Sequence, residues 1–276
     1  MIYSLIEVVL PVFLVVTFGF LGTKITIVKK EEVDALLKFA QNIVIPIFLF
    51  LGMLNIELSN VFNWSLITSY YFGSVICFLI SNIILKKFLN TSNSEAIALS
   101  FCVLFSNAVL LGLPITELAY GTDSIAPNLA IIAINAPLCY LIGISAMEIF
   151  GNSKSQSSLI LPNIFSTILS NPIAMSLIFG LILNALGISL FSPVLVSLTL
   201  ISKAAIPLAL FALGGILAQY NISASFKKVT IVLILSLLVH PVITFTLATF
   251  IFQLEMQLVR SATITAAMAP GLNAFI

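Results

Sequence analysis

Polar side chains that could do chemistry are few in this sequence, and most stand alone inside long apolar stretches. They are Asn42, Asn107, Asn135, Lys203 and His240, together with the helix-breaking pair Pro270-Gly271. Asparagine amides donate hydrogen bonds, lysine offers a positive charge, and histidine titrates near neutral pH. Proline and glycine let a helix unwind and expose its backbone N–H groups. Together these are the means of holding a small carboxylate away from water. They do not make a hydrolase, because there is no paired aspartate and no GxSxG-like elbow beside Lys203 or His240. An intramembrane hydrolase stays a minor alternative. Cys77, Cys102 and Cys139 have no CxxC or His/Cys spacing, so no metal site and no cofactor is expected.

The stretches around these residues are those of a bilayer protein. Of 276 residues, 61% are hydrophobic and 8% charged, with a mean hydropathy of +1.22. A soluble domain has roughly 25% charged residues. Eleven Lys+Arg against ten Asp+Glu leave no basic field for nucleic acid. The expected partners are the lipid bilayer and a small solute.

A helix needs about 20 apolar residues to cross a bilayer. Nine stretches qualify: Ile2 to Gly22, Val33 to Asn55, Phe62 to Leu85, Ala96 to Leu118, Ile125 to Ile149, Ile160 to Leu186, Pro193 to Gln219, Val229 to Phe252, and Leu258 to Ile276. No basic residue precedes the first, and Glu7 lies within it, so it reads as a retained helix rather than a signal peptide. Lys24, Lys29, Lys30, Lys86, Lys87, Lys154, Lys227 and Lys228 follow odd-numbered spans, whereas the even-numbered connections carry only Arg260. Basic residues collect in cytoplasmic loops, which predicts an outside N-terminus. Glu7, Glu117 and Glu148 lie towards span ends and are expected at the interface.

A shift of 161 residues lays Pro11 on Pro172, Gly19 on Gly180, Pro46 on Pro207 and Phe50 on Phe211. Five spans per copy is an odd number, so the second copy must enter the membrane from the opposite side, an inverted repeat. The expected organisation is a first five-helix repeat over 1–150, a cytoplasmic linker over 151–159 and a second repeat over 160–276. The second repeat is one span short of ten. We expect truncation of the chain, and a remnant unable to transport is the alternative that follows.

Ten or eleven residues into a span lies near the bilayer centre. Asn42, Asn107, Asn135, Lys203, His240 and Pro270-Gly271 all meet that depth, which predicts one shared cavity. Lys203 could attract a carboxylate or snorkel to the interface, and His240 could relay protons or bond a neighbouring helix. Gly214-Gly215 reads as close helix packing.

SNAVLLGLPI in span 4, IPIFLFLGML in span 2, IPLALFALGGIL in span 7, HPVIT at His240 and APGLNAFI at the end together resemble the auxin efflux carrier family. The resemblance covers essentially the whole chain. It implies an all-α polytopic fold of two inverted five-helix halves, with a scaffold part and a transport part, and with broken helices 4 and 9 crossing beside the substrate. It places Asn107, Gly112 and Pro114 from span 4, Asn135 from span 5, and Pro270 and Asn273 from span 9 at that site; the shared depth adds Gly271 and Lys203 as candidate contacts and His240 for proton coupling. The implied activity is alternating-access transport of a malate- or malonate-like dicarboxylate or an auxin-like carboxylate across the plasma membrane. A homodimer is one assembly the sequence allows.

Overall fold

In the computed structural model the residues described are 2–56, 63–150, 170–220 and 226–271. Ten helices carry them: α1 (Ile2–Lys24), α2 (Lys30–Leu54), α3 (Trp64–Leu89), α4 (Asn93–Leu104), α5 (Ala108–Tyr120), α6 (Ala126–Phe150), α7 (Pro172–Ala185), α8 (Ser192–Leu217), α9 (Phe226–Ile251) and α10 (Met256–Ala266). Six are long and apolar enough to cross a membrane, whereas α4, α5 and α7 are shorter apolar helices. The predicted fourth span is a pair of half-helices, α4 and α5. The linker 151–159 and the first residues of the sixth span lie outside the described residues.

Proline chemistry sets the irregular turns. Proline has no N–H for the carbonyl four residues back, so the helical ladder must open there. In α2 the N–H of Ile45 reaches Ala40 O, one residue further than in an α-helix, directly before Pro46. The same wide turn precedes Pro114, where Leu113 N reaches Ala108 O, and Pro241, where His240 N reaches Leu235 O. In α8 the equivalent of Pro46 is Pro207, and there the helix breaks instead: Ala204 N turns back to Ile201 O at 3.0 Å. The start of α2 at Lys30 follows from a capping box in which Glu32 accepts from the N–H of Lys29 at 2.8 Å.

The chain forms two compact units, Met1–Leu58 with Glu117–Asp123 and Leu169–Ile222, and Ser59–Thr116 with Ser124–Ile168 and Ser223–Ile276. Each draws helices from both sequence halves, so the partition by contact differs from the partition by repeat.

In the first unit α1 packs along α8, and α2 along α7. The approach is close because glycines stand at the contacts. A β-carbon on Gly19 would lie 1.9 Å from Phe211 O, one on Gly214 1.9 Å from Val16 O, and one on Gly180 2.6 Å from Phe50 O. Small residues let helices pack backbone to backbone where hydrophobic burial gives no drive for association. Asn184 donates to Met53 O at 2.8 Å and Ile56 O at 2.7 Å, closing the end of α2.

In the second unit the core is built from α3, α4, α6 and α10. Leu66, Tyr70, Phe101, Leu104, Ile131 and Ala262 are all buried in it. Gly73 brings α3 against α9: a β-carbon there would lie 2.8 Å from Thr244 Oγ1 and 3.3 Å from the His240 ring.

Candidate functional site

The short segment between α4 and α5 and the one after α10 meet in the second unit as a two-residue antiparallel bridge, Ser106 against Pro270. Asn107 N donates to Ala269 O at 2.9 Å, and Gly271 N donates to Phe105 O at 2.8 Å. Each helix breaks where proline or glycine permits it, and the backbone groups freed by the breaks satisfy one another. Non-helical backbone at membrane depth is tolerated where protein encloses it, and Ser106 and Asn107 are both buried. Gly271 is required by this contact, since a β-carbon there would lie 2.9 Å from the Phe105 ring.

Asn107 caps the half-helix that follows. Its Oδ1 accepts from Leu110 N at 3.2 Å, and its carbonyl accepts from Gly112 N at 3.1 Å. The cap uses the side-chain oxygen and leaves the two Nδ2 donors uncommitted among the described residues. The N-terminus of α5, with its partial positive charge, therefore stands beside an amide donor. A β-carbon on Gly112 would lie at ordinary contact distance from Met268 and Thr265 on the other broken segment, and Pro114 closes the wide turn in α5. Asn107, Gly112, Pro114, Pro270 and Gly271 thus gather at one crossing. Asn135 is buried on α6, where its Oδ1 is 3.4 Å from Cys139 Sγ, and that thiol approaches Leu104 O at 3.8 Å, at the last turn before the break. Asn273 lies outside the described residues.

Residues that depth alone did not reveal support the crossing. Tyr70 Oη and Ser106 Oγ share a 2.5 Å hydrogen bond, both buried. Ser236 Oγ donates to Met268 O at 3.4 Å. Asn128 Nδ2 donates to Thr265 Oγ1 at 2.8 Å and to Thr116 Oγ1 at 3.2 Å. Their signal in the sequence was only polar character within or beside apolar helices, which hydroxyl residues bonding their own helix share.

His240 is fully buried, with Nε2 2.9 Å from Ser74 Oγ and 3.4 Å from Tyr70 O. It is joined to the crossing through Tyr70, whose hydroxyl holds Ser106. Its Nδ1 is buried without a hydrogen-bond partner among the described residues. Lys203 and Asn42 belong to the first unit, and both are exposed there, Lys203 in the break of α8 and Asn42 in the wide turn of α2. Glu148 is half-buried on α6, and its Oε2 has no partner among the described residues.

No curated protein matches the chain. A family model described as membrane transport protein matches residues 4–276, nearly the whole chain and including both broken helices. Six membrane-length apolar helices and a family match of that extent make this a multi-pass membrane transporter, and the chain belongs to the membrane transport protein family, that of the auxin efflux carriers.

Proposed function

We propose that the chain is a secondary transporter for a small organic anion, a malate- or malonate-like dicarboxylate or an auxin-like carboxylate, working by alternating access. The observation that carries this reading is the crossing itself. It presents the N-terminus of α5 and the Nδ2 donors of Asn107, uncommitted among the described residues, at one buried point, with no carboxylate among the residues gathered there. A carboxylate ligand would accept from these donors and complement the helix dipole. Asn135 from α6 is a further amide donor, whereas Lys203 is an exposed cation of the first unit. His240 bonds to hydroxyl and carbonyl oxygens, which favours a helix-joining role over proton coupling.

Alternating access would move the second unit, which holds the crossing, as the transport part and keep the first as scaffold. The two reciprocal glycine contacts in the first unit, related by the repeat shift, favour inverted halves. The proposed location is the plasma membrane, and the lysine distribution favours an N-terminus outside with odd-numbered loops in the cytoplasm.

One feature favours a hydrolase, the Ser74–His240 pair at 2.9 Å. A working dyad needs an orienting partner on the second imidazole nitrogen and access for substrate. Here Nδ1 has no partner among the described residues, and both side chains are 0% exposed. The transport reading is the stronger.

The test is uptake and efflux of radiolabelled malate and of indole-acetate in reconstituted vesicles, comparing the chain with Asn107→Ala. Flux that needs Asn107 supports the reading; flux indifferent to it removes Asn107 from the site.

A further inference from the structure

Two half-helices from opposite halves of the chain flank the crossing, α5 leaving it and α10 entering it. Each is short, 13 residues over Ala108–Tyr120 and 11 over Met256–Ala266, and each ends in irregular backbone. Two bridge hydrogen bonds hold them at the crossing itself. Any separate motion of the two would pull the bridge apart and misplace Asn107.

Asn128, in the first turn of α6, lies between them. One amide nitrogen donates to a hydroxyl on each, Thr116 of α5 at 3.2 Å and Thr265 of α10 at 2.8 Å. Asn128, Thr116 and Thr265 are all 0% exposed. The neighbouring turn repeats the link more weakly, with Ser261 Oγ donating to Ser124 O at 3.5 Å and Ser124 Oγ to Thr116 O at 3.4 Å. Packing alone does not account for the asparagine. Its Oδ1 is buried with no partner among the described residues, which costs stability, and an isosteric leucine would remove that cost. Thr265 would not be stranded by the change, since its hydroxyl also donates to Ser261 O at 2.7 Å, whereas the buried Thr116 hydroxyl would lose its Asn128 partner.

We propose that Asn128 is a positioning residue: it ties α5 and α10 into one body, so that the two broken helices carry the crossing between states without coming apart. The proposal rests on the reading of the crossing as the substrate site. Asn128 touches no substrate. It acts on affinity through Asn107 and Gly271, whose relative placement it fixes.

The experiment compares Asn128→Leu, Thr265→Val and Thr265→Ser with the full chain in nanodiscs and vesicles. Backbone hydrogen exchange over 105–112 and 267–271 is read first, because it needs no transported substrate. With the tie in place, exchange there rises about tenfold in Asn128→Leu and in Thr265→Val and returns to the parent rate in Thr265→Ser, while α3 is unchanged. Malate flux then shows a KM raised about tenfold in the first two variants, with Vmax within about twofold. Parent-like exchange at the crossing in Asn128→Leu and Thr265→Val overturns the tie. A parent chain that moves no carboxylate overturns the transport reading, and hydrogen exchange then still decides the tie.

Discussion

Gly19 faces the carbonyl of Phe211 so closely that a β-carbon would lie 1.9 Å from its oxygen. The repeat shift carries Gly19 to Gly180 and Phe50 to Phe211, and Gly180 faces the carbonyl of Phe50. One contact is therefore made twice with its partners exchanged, the pattern that two copies related by a two-fold axis would produce.

The neighbour in each case is backbone, which cannot swing aside. Gly19→Ala and Gly180→Ala should each cost roughly 1–3 kcal/mol or more and lower the Tm in detergent. Gly22→Ala is the control, because its β-carbon would meet side-chain atoms only at 3.8 Å and beyond. Equal Tm values for all three variants would count against the close packing.

Asn107 caps α5 through Oδ1, and in the proposed function it also offers its Nδ2 donors to the carboxylate. Asn107→Asp keeps an acceptor for Leu110 N and places negative charge at a helix N-terminus, where it is favourable. Its Tm should stay within a few degrees of the parent. Carboxylate flux should fall at least tenfold, because the donors are gone and a like charge faces the anion. Asn107→Ala loses both tasks, with the cap alone worth about 1 kcal/mol. Parent-like flux in Asn107→Asp would show that the donors do not meet substrate.

Much of this was legible in the sequence because the bilayer sets a length and proline sets the breaks. Span limits fell within a few residues of the helices wherever both are described. Pro114 and Pro270 marked the two segments that cross. Depth along a helix, however, carries no information about its face or its unit. Asn42, Lys203 and Asn107 share a depth, yet the first two are exposed in one unit and the third is buried in the other. Tyr70, Ser106 and Asn128 were not legible, because a hydroxyl or amide within or beside an apolar helix reads the same whether it bonds its own turn or another helix.

Ser74 and His240 distinguish transport from catalysis. If their 2.9 Å contact only joins α3 to α9, Ser74→Ala should cost about 1 kcal/mol, leave carboxylate flux within about twofold, and leave the protein as unreactive to serine-directed phosphonates as the parent. Labelling of Ser74 in the parent would revive the hydrolase reading.

Orientation is checked by cysteine scanning on a background with Cys77, Cys102 and Cys139 replaced by alanine or serine. A cysteine at Lys87 should react with a membrane-impermeant maleimide only after the cytoplasmic face is opened, and one at Ile188 should react in intact cells. The reverse pattern would invert the assigned topology.

In the proposed function the crossing of the two broken helices binds the transported carboxylate. The most direct test of that binding is radiolabelled malate and indole-acetate counterflow in vesicles holding equal amounts of the parent chain or Asn107→Ala. Saturable counterflow of at least one of these anions is expected from the parent, reduced at least tenfold in the variant. Equal counterflow from the two proteins would contradict it.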